Sequence, residues 1–575
     1  MSRRTSILIA LVALTIHFGL AVDAARRMSV TFDEYWHLPV GVLNASQGRF
    51  DFERHNPPLA RMFCALPVLL SDARIDFADE PLRMEQYGHR FQDANPDQWR
   101  SLYFRGRLMH CGLSVLIGVM LYAWVAEMYG AGAAALATLF WSWCPNILAS
   151  AAVVTTDLAA CGGFVAVLFA AWRFAVSPTF GRAAIVGLAL GVSLLGKFTA
   201  IVLFPLAPLC WWLFRRDVLL ADAARTTALP VNATRRRMAA AWGIAFAVGL
   251  LVFNAGYLFR GTGTLLRDYS FESPTLRSIQ SHFGWLGWLP LPVPRDGLLG
   301  IDQQSLLMQS PHPVFLDGAW SDRGFPHYYL MALLYKLPHS LQGLLCLAAF
   351  RWIRPGTLPR RTALLVGLLI PAGLLVLLAS LSRMQLGVRY VLPAIPLFIA
   401  VAAQAARWTT TERKWTRLFV PGLALLATAS LRHHPHHIAY FNQLAGGPEA
   451  GFVHLIDSNI DWGQDLDRLK EYVDANRAGP IGLAYFGSIR PGTIGLRYRL
   501  PPSGHPEPGT YAVSISLVMG RPDALVDQDG HVHTAGLDEY GYFRAFAPVA
   551  RIGYSIEVYR IGPLDVMEWN AAHRR

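Results

Sequence analysis

The sequence predicts an α-helical polytopic membrane protein with about eleven transmembrane helices and a small α/β domain after the last of them. Three observations predict it. Hydrophobic residues make up 53% of the 575-residue chain and charged residues only 16%, against about 25% in soluble domains. Mean hydropathy is +0.32. Apolar runs of near-spanning length recur as far as residue 431, a membrane helix needing about 20 apolar residues.

The predicted spans are 5–25, 108–126, 131–148, 158–175, 183–200, 200–214, 239–258, 330–350, 362–381, 391–407 and 416–431. Arg3 and Arg4 precede the first run, and Val22-Asp23-Ala24 has the look of a cleavage site, but the run is read as a retained anchor. Lys and Arg set the orientation. With a cytoplasmic N-terminus, the inside segments carry Arg3, Arg4, Arg173, Arg182, Arg215-Arg216, Arg225, Arg235-Arg236-Arg237, Arg351, Arg354, Arg360-Arg361, Arg407, Arg413, Lys414 and Arg417. The opposite short turns carry only Lys197, Arg383 and Arg389. Positive charge accumulates on the cytoplasmic side, so an odd number of spans leaves residues 432–575 outside.

Two long loops, 26–103 and 260–325, fall on that outer side. In the first, the apolar stretch Pro57 to Leu70 is too short to span and reads as an amphipathic helix along the interface. Beyond the last span come a helix-like stretch, Leu466 to Ala475, and strand-like runs, Ile481–Phe486, Tyr511–Val518 and Val549–Ile561. This divides the chain into a membrane domain, 1–431, and an extracytoplasmic α/β domain, 432–575. No repeat or inverted pair is visible, which weighs against a secondary transporter.

The net charge of +12 sits in short membrane-loop tracts rather than on one basic face, so nucleic acid is excluded as a partner. The six Cys form no CxxC pair, and five of them fall in apolar segments. The tract His433-His434-Pro435-His436-His437 lacks accompanying thiols and reads as a His-rich turn rather than a metal site.

Chemistry-bearing residues cluster at the outer ends of spans. Thr31-Phe32-Asp33-Glu34-Tyr35-Trp36-His37 follows the first span; Thr31 and Glu34 have capping-box spacing, while Asp33 at the membrane surface suits a general base, with His37 one turn on. Asp157 opens the fourth span, as an N-cap or as a second acid at the depth of Asp33. The cations of that side are Arg105 and Arg107, Lys197, Lys336 and Arg389. Ionisable groups at membrane depth are costly and commonly face a cavity. Several cations around a carboxylate suit a phosphate-bearing lipid and a reacting hydroxyl.

Taken together these residues resemble the GT-C superfamily, in particular the bacterial relatives of protein O-mannosyltransferases and of the aminoarabinose transferases that act on lipid A. The resemblance rests on Thr31-Phe32-Asp33-Glu34, His55-Asn56-Pro57-Pro58-Leu59-Ala60-Arg61, Trp143-Cys144-Pro145 with Thr155-Thr156-Asp157, and the Gly-rich run to Lys197-Phe198-Thr199. It continues through Tyr329 to Lys336, Gly387-Val388-Arg389-Tyr390, Tyr440-Phe441-Asn442 and Asp457 to Asp465. It implies a GT-C fold and transfer of a sugar from a polyprenyl-phosphate donor to an acceptor hydroxyl of a protein, lipid or envelope glycan on the outer face of the plasma membrane. Asp33, Glu34 and Asp157 become the catalytic candidates, Asp33 as base. His37, Arg61, Arg107, Lys197, Lys336 and Arg389 become candidates for holding donor phosphate and substrate. The loop 260–325 is too short for the β-trefoil module of the eukaryotic protein mannosyltransferases.

A phosphate leaving group needs no strong general acid, and the scheme requires no cofactor or metal. A single displacement inverts the anomeric carbon, whereas retention would need a nucleophilic carboxylate opposite the leaving group. The alternatives are a transporter of polysaccharide or lipid-linked sugar, and a non-catalytic membrane scaffold.

Overall fold

A computed structural model describes residues 1–223, 232–353, 362–406, 416–477 and 479–573. Arg225, Arg354, Arg360, Arg361, Arg407, Arg413 and Lys414, which carry part of the orientation argument, lie outside the described residues. Among the described residues, five helices are long and apolar enough to cross a membrane: Arg3–Arg27, Trp99–Tyr129, Asp157–Val176, Phe198–Leu219 and Arg235–Gly256. The protein is a helical membrane protein. Shorter apolar helices, Ala131–Ser142, Phe180–Gly196, Leu364–Ser380, Ala394–Ala406 and Val420–Arg432, lie at further predicted spans.

Three predicted spans differ from the helices found. The run 131–148 breaks after Ser142, and a second helix, Pro145–Ala151, starts at its proline. Proline lacks an N–H and drives the preceding residue extended; Cys144 sits at φ −77°, ψ 118°. The run 183–200 ends at Gly196, because Lys197 is fully extended at φ −159°, ψ 134° before a 3-10 turn, Phe198–Val202, leads on. The run 330–350 is two helices, Tyr328–Lys336 and His339–Ile353, bent by 115° at Leu337-Pro338.

Small residues let some helices approach closely, as is common inside membranes. A Cβ on Gly191 would lie 2.6 Å from the Gly249 carbonyl oxygen of the neighbouring helix. The first long loop folds into helices Glu34–Gln47, Leu59–Leu69 and Met84–Ala94. Leu59–Leu69 is the expected amphipathic element: Ala60, Arg61, Cys64, Ala65 and Val68 face inward, while Leu59, Leu66 and Leu70 are exposed.

The C-terminal region contains the helix Leu466–Ala475 and a five-stranded mixed sheet. Its central strand Gly509–Ser514 pairs parallel with Ile481–Ala484 and antiparallel with Ile556–Ile561. The predicted run Tyr511–Val518 stops being strand at Ser514 and closes as a helical turn, Ile515–Val518. A hairpin, Asp523–Val526 with Val532–Ala535, had no counterpart among the predicted strands. One apolar core runs from the helices through Phe441, Leu455 and Trp462 to Tyr511 and Tyr559 of the sheet. A second joins Tyr35, Tyr87 and Tyr103 to Leu466, Leu469 and Leu483. The sheet is therefore packed onto the first loop.

Candidate functional site

The segment Asp457–Asp465 holds the site together. Its backbone accepts from the loop that leaves the first helix, Phe32 N–H donating to Trp462 O and Ser29 N–H to Gln464 O, both at 2.9 Å. Asn459 Oδ1 accepts from Val388 N–H at 3.1 Å, which fixes the turn before Arg389. Gly387 in that turn has φ 84° and ψ −175°, and a Cβ there would lie 2.5 Å from the Asn459 amide.

Four of the sequence candidates meet in one row. Asp33 pairs with Arg389, Arg389 Nη1 stands 4.0 Å from Asp157 Oδ2, and Asp157 pairs with Lys197. Each comes from the end of a different helix: Asp33 precedes Glu34–Gln47, Asp157 begins Asp157–Val176, Lys197 follows Phe180–Gly196, and Arg389 lies just before Ala394–Ala403. Although it occupies an N-cap position, Asp33 makes no capping bond, so its carboxylate turns to Arg389. Aromatic faces flank the cations, Arg389 standing 4.6 Å from the Trp462 ring centre and Lys197 5.0 Å from that of Tyr390. Such placement stabilises a cation without neutralising it. The spacing of Trp462 and Tyr390 gives no hint of this role, and only their proximity in space reveals it.

Glu34 and Arg107 form a separate buried pair. Arg107 Nε donates to Glu34 Oε1 at 2.7 Å and Nη2 to Oε2 at 2.6 Å, and its remaining donors go to the carbonyls of Ala25, Met28 and Ser29. All five guanidinium N–H groups are thereby engaged, leaving none for a phosphate. Glu34 also accepts from Thr31 N–H at 2.9 Å and from Val154 N–H at 3.2 Å, but it is the first residue of its helix, with Asp33 at the N-cap, so the expected capping box does not form. The pair ties the Asp33 loop to the turn that presents Asp157.

Arg61 is likewise committed, to the Glu53 carboxylate and to the carbonyls of Glu53 and Asn56. Burial opposes charge on Glu53, yet Arg61 and His55 hold its carboxyl down at about 2. Glu53 was not among the sequence candidates; no motif marks a counter-ion eight positions before its arginine. His37 is buried, and burial lowers its pKa against the pull of Asp33 and Glu53. Its Nδ1 has no hydrogen-bond partner among the described residues. Lys336 is buried and donates to the carbonyls of Ile438 at 2.9 Å and Asn459 at 2.6 Å, 4.4 Å from the Phe441 ring centre. It borders, with Asp157, Arg389, Ser458 and Trp462, a small cavity of about 30 Å³.

A larger cavity, about 350 Å³, opens between the first loop and the C-terminal sheet. Phe32, beside Asp33, lines it together with Glu85, His89, Arg490, Tyr498 and Asp523. Burial lifts the Asp523 carboxyl to about 6 against the opposing effect of Arg521. Two acids of the central segment are also shifted: burial raises Asp461 to about 8 and Asp465 to about 7. The His tract is spread among partners, His434 Nε2 lying 2.8 Å from Asp23 Oδ2 and His436 Nε2 2.5 Å from Arg468 Nη1.

No family model matches the chain, and no curated sequence does. Among solved structures, the chain is similar to ArnT from Cupriavidus metallidurans bound to undecaprenyl phosphate, at 14% identity over 97% of this chain and 98% of that one, with a TM-score of 0.48. It is also similar to the archaeal oligosaccharyltransferase AglB from Archaeoglobus fulgidus in complex with an inhibitory peptide and a dolichol-phosphate, at 13% identity over 92% and 74%, TM-score 0.46. A third is the arabinofuranosyltransferase AftD from Mycobacteria, at 12% identity over 98% and 40%, TM-score 0.38.

Proposed function

We propose that this chain is a membrane glycosyltransferase that moves a sugar from a polyprenyl-phosphate donor to an acceptor hydroxyl, at the membrane face bearing the first long loop. The observation that supports it is the row Asp33–Arg389–Asp157–Lys197 at the common ends of apolar helices. Asp33 takes the acceptor proton while the acceptor oxygen attacks the anomeric carbon. The bond from that carbon to the phosphate oxygen breaks, its electron pair staying on the phosphate. Arg389 and Lys197 offset the charge that develops there, and Asp157 holds both cations in place between turnovers. A single displacement of this kind inverts the anomeric carbon.

In this reading Glu34, Arg107 and Arg61 position the loop, and Lys336 shapes the cavity wall through the carbonyls it binds. The membrane unit, 1–431, carries the donor side. The region 432–575 selects the acceptor through the 350 Å³ cavity beside Phe32, a volume within the usual range for small-ligand sites. The double substitution Arg490→Ala with Asp523→Asn is then expected to raise the acceptor KM and leave slow hydrolysis of the donor unchanged.

The test is radiolabel transfer from a panel of polyprenyl-phosphate sugars by purified protein and its Asp33→Asn variant. Among the described residues Asp33 pairs with Arg389 alone, and its side chain is partly exposed, so the variant should fold, while loss of a general base costs about 10²–10⁴ in rate. Equal transfer by both proteins would overturn the base assignment. Movement of the lipid-linked sugar across vesicles without a new glycosidic bond would make the protein a transporter instead.

A further inference from the structure

We propose that residues 258–291 form an aromatic finger seated in the headgroup region of the phospholipid bilayer, beside the span from which it emerges. The span Arg235–Gly256 ends two residues before Leu258. Leu258 and Phe259 both adopt positive φ, 53° and 57°, a conformation costly for residues with a Cβ. Their side chains are nonetheless 59% and 51% exposed. Past them the chain doubles back as a ribbon. Gly263 N–H donates to Leu291 O at 2.9 Å, Leu266 N–H to Leu289 O at 3.1 Å, and Arg267 N–H to Gly287 O at 3.0 Å. The ribbon's far end carries Ile279, Phe283, Trp285 and Trp288, with Trp285 72% and Trp288 63% exposed.

A water-facing loop has no reason to expose two indoles, a phenylalanine and an isoleucine within ten residues. Soluble surfaces scatter such residues singly, and a gathered patch marks an interaction site. Three features favour lipid as the occupant. The patch belongs to the segment that emerges directly from a membrane span, whose outgoing residues Leu258 and Phe259 are themselves exposed. Trp is the residue enriched at the membrane–water boundary, where its ring is buried and its N–H stays hydrated. Exposed Arg260, Arg267 and Arg277 lie in the same stretch, where long side chains reach lipid phosphates while their stems cover apolar surface.

The finger's base ties it to the candidate site. Arg54 Nε donates to Asp296 Oδ1 at 2.8 Å, and the rings of Phe50 and Tyr257 are 5.0 Å apart. Arg54 belongs to the loop that carries Asp33. Insertion of the finger would therefore hold that loop at the height where a lipid-linked substrate presents its phosphate; this consequence rests on the proposed function, while the insertion itself does not.

The experiment uses full-length protein and its Trp285→Phe, Trp288→Phe double variant in phosphatidylcholine vesicles, with and without brominated acyl chains. Phe keeps the apolar face, so both proteins should fold. The difference between their Trp emissions isolates the two rings. The expected result is that this difference is quenched at least twofold by brominated lipid and is insensitive to aqueous iodide. Quenching by iodide and not by brominated lipid would place the finger in water and overturn the proposal. Protection from both quenchers would show it covered by protein, a second copy of this chain included, and would overturn it equally. Neither readout uses transfer, so failure here is distinct from failure of the glycosyltransferase reading.

Discussion

Replacing Arg389 with Ala removes a side chain that stands within 4.0 Å of both carboxylates of the row. Its guanidinium is 13% exposed, paired with Asp33 and 4.0 Å from Asp157. Two unit charges at that separation interact by about 4 kcal/mol at the effective dielectric of a site near the protein surface. The alanine variant therefore leaves Asp33 and Asp157 with Lys197 as the nearby cation, and part of that gross energy is recovered by hydrating the carboxylates. In the transition state the loss is sharper. Removing one preorganised donor from a site of developing charge costs about 10²–10³ in rate, or about 2.7–4 kcal/mol. Transfer from the polyprenyl-phosphate donor is thus expected to fall by about 10²–10³. Arg389→Lys should recover only a small part of it, because a compact ammonium cannot reach two carboxylates with the planar fork that a guanidinium offers. The assay is single-turnover transfer with purified variants in lipid nanodiscs, with retained monodispersity as the control for folding. A rate for Arg389→Ala within fivefold of the parent would refute the assignment of this cation to the leaving phosphate.

Glu34→Gln should act on folding, since it strands the buried Arg107 charge; breaking such a pair costs about 3–5 kcal/mol, and a melting temperature equal to the parent's would show the pair to be dispensable. Gly387→Ala places a Cβ 2.5 Å from the Asn459 amide in a backbone region that costs a residue with a Cβ about 1–3 kcal/mol. Both transfer and melting temperature should fall, and an unchanged transfer rate would mean that the turn does not set Arg389. Asp461 and Asp465, raised to about 8 and about 7 by burial, give stability a definite pH trend. Between about pH 4, where unfolded aspartates ionise, and pH 8 the folded protein binds more protons than the unfolded one. Their contribution is full below that window and is lost as pH rises through it. Asp461→Asn should flatten the decline in melting temperature from pH 5 to pH 8, and an unaltered slope would acquit this residue. Glu53, held at about 2, works in the opposite sense: its contribution is present above the ordinary glutamate pKa and fades only as pH falls toward 2.

Much of the candidate site was legible because ionisable residues are rare in this chain and stand out against apolar runs. Asp157 and Lys197 are conspicuous for that reason, and they do pair. What spacing could not separate was the fate of adjacent or similar residues. Asp33 and Glu34 are neighbours, yet one faces Arg389 and the other is consumed by Arg107 and two backbone amides. Arg107, Lys197 and Arg389 looked alike as cations at span ends. Only the three-dimensional arrangement shows that the carbonyls of Ala25, Met28 and Ser29 saturate Arg107 and leave the other two beside the acids. Span boundaries failed where proline or an extended residue interrupts an unbroken apolar run, at Pro145, Pro338 and Lys197, because hydropathy counts side chains and is blind to backbone hydrogen bonding.

The sequence by itself determined the membrane class, the helical runs, the amphipathic helix at Leu59–Leu69 and the set of charged residues from which a site could be built. These follow from composition and periodicity, since transfer of side chains out of water is a local property that sums along the chain. The tertiary structure decided which charges meet. Asp33 and Arg389 are 356 positions apart, and their pairing depends on the segment Asp457–Asp465 folding back to clamp both turns. Electrostatic pairing over that separation is set by where the backbone is held, and that depends on packing between elements no local pattern connects.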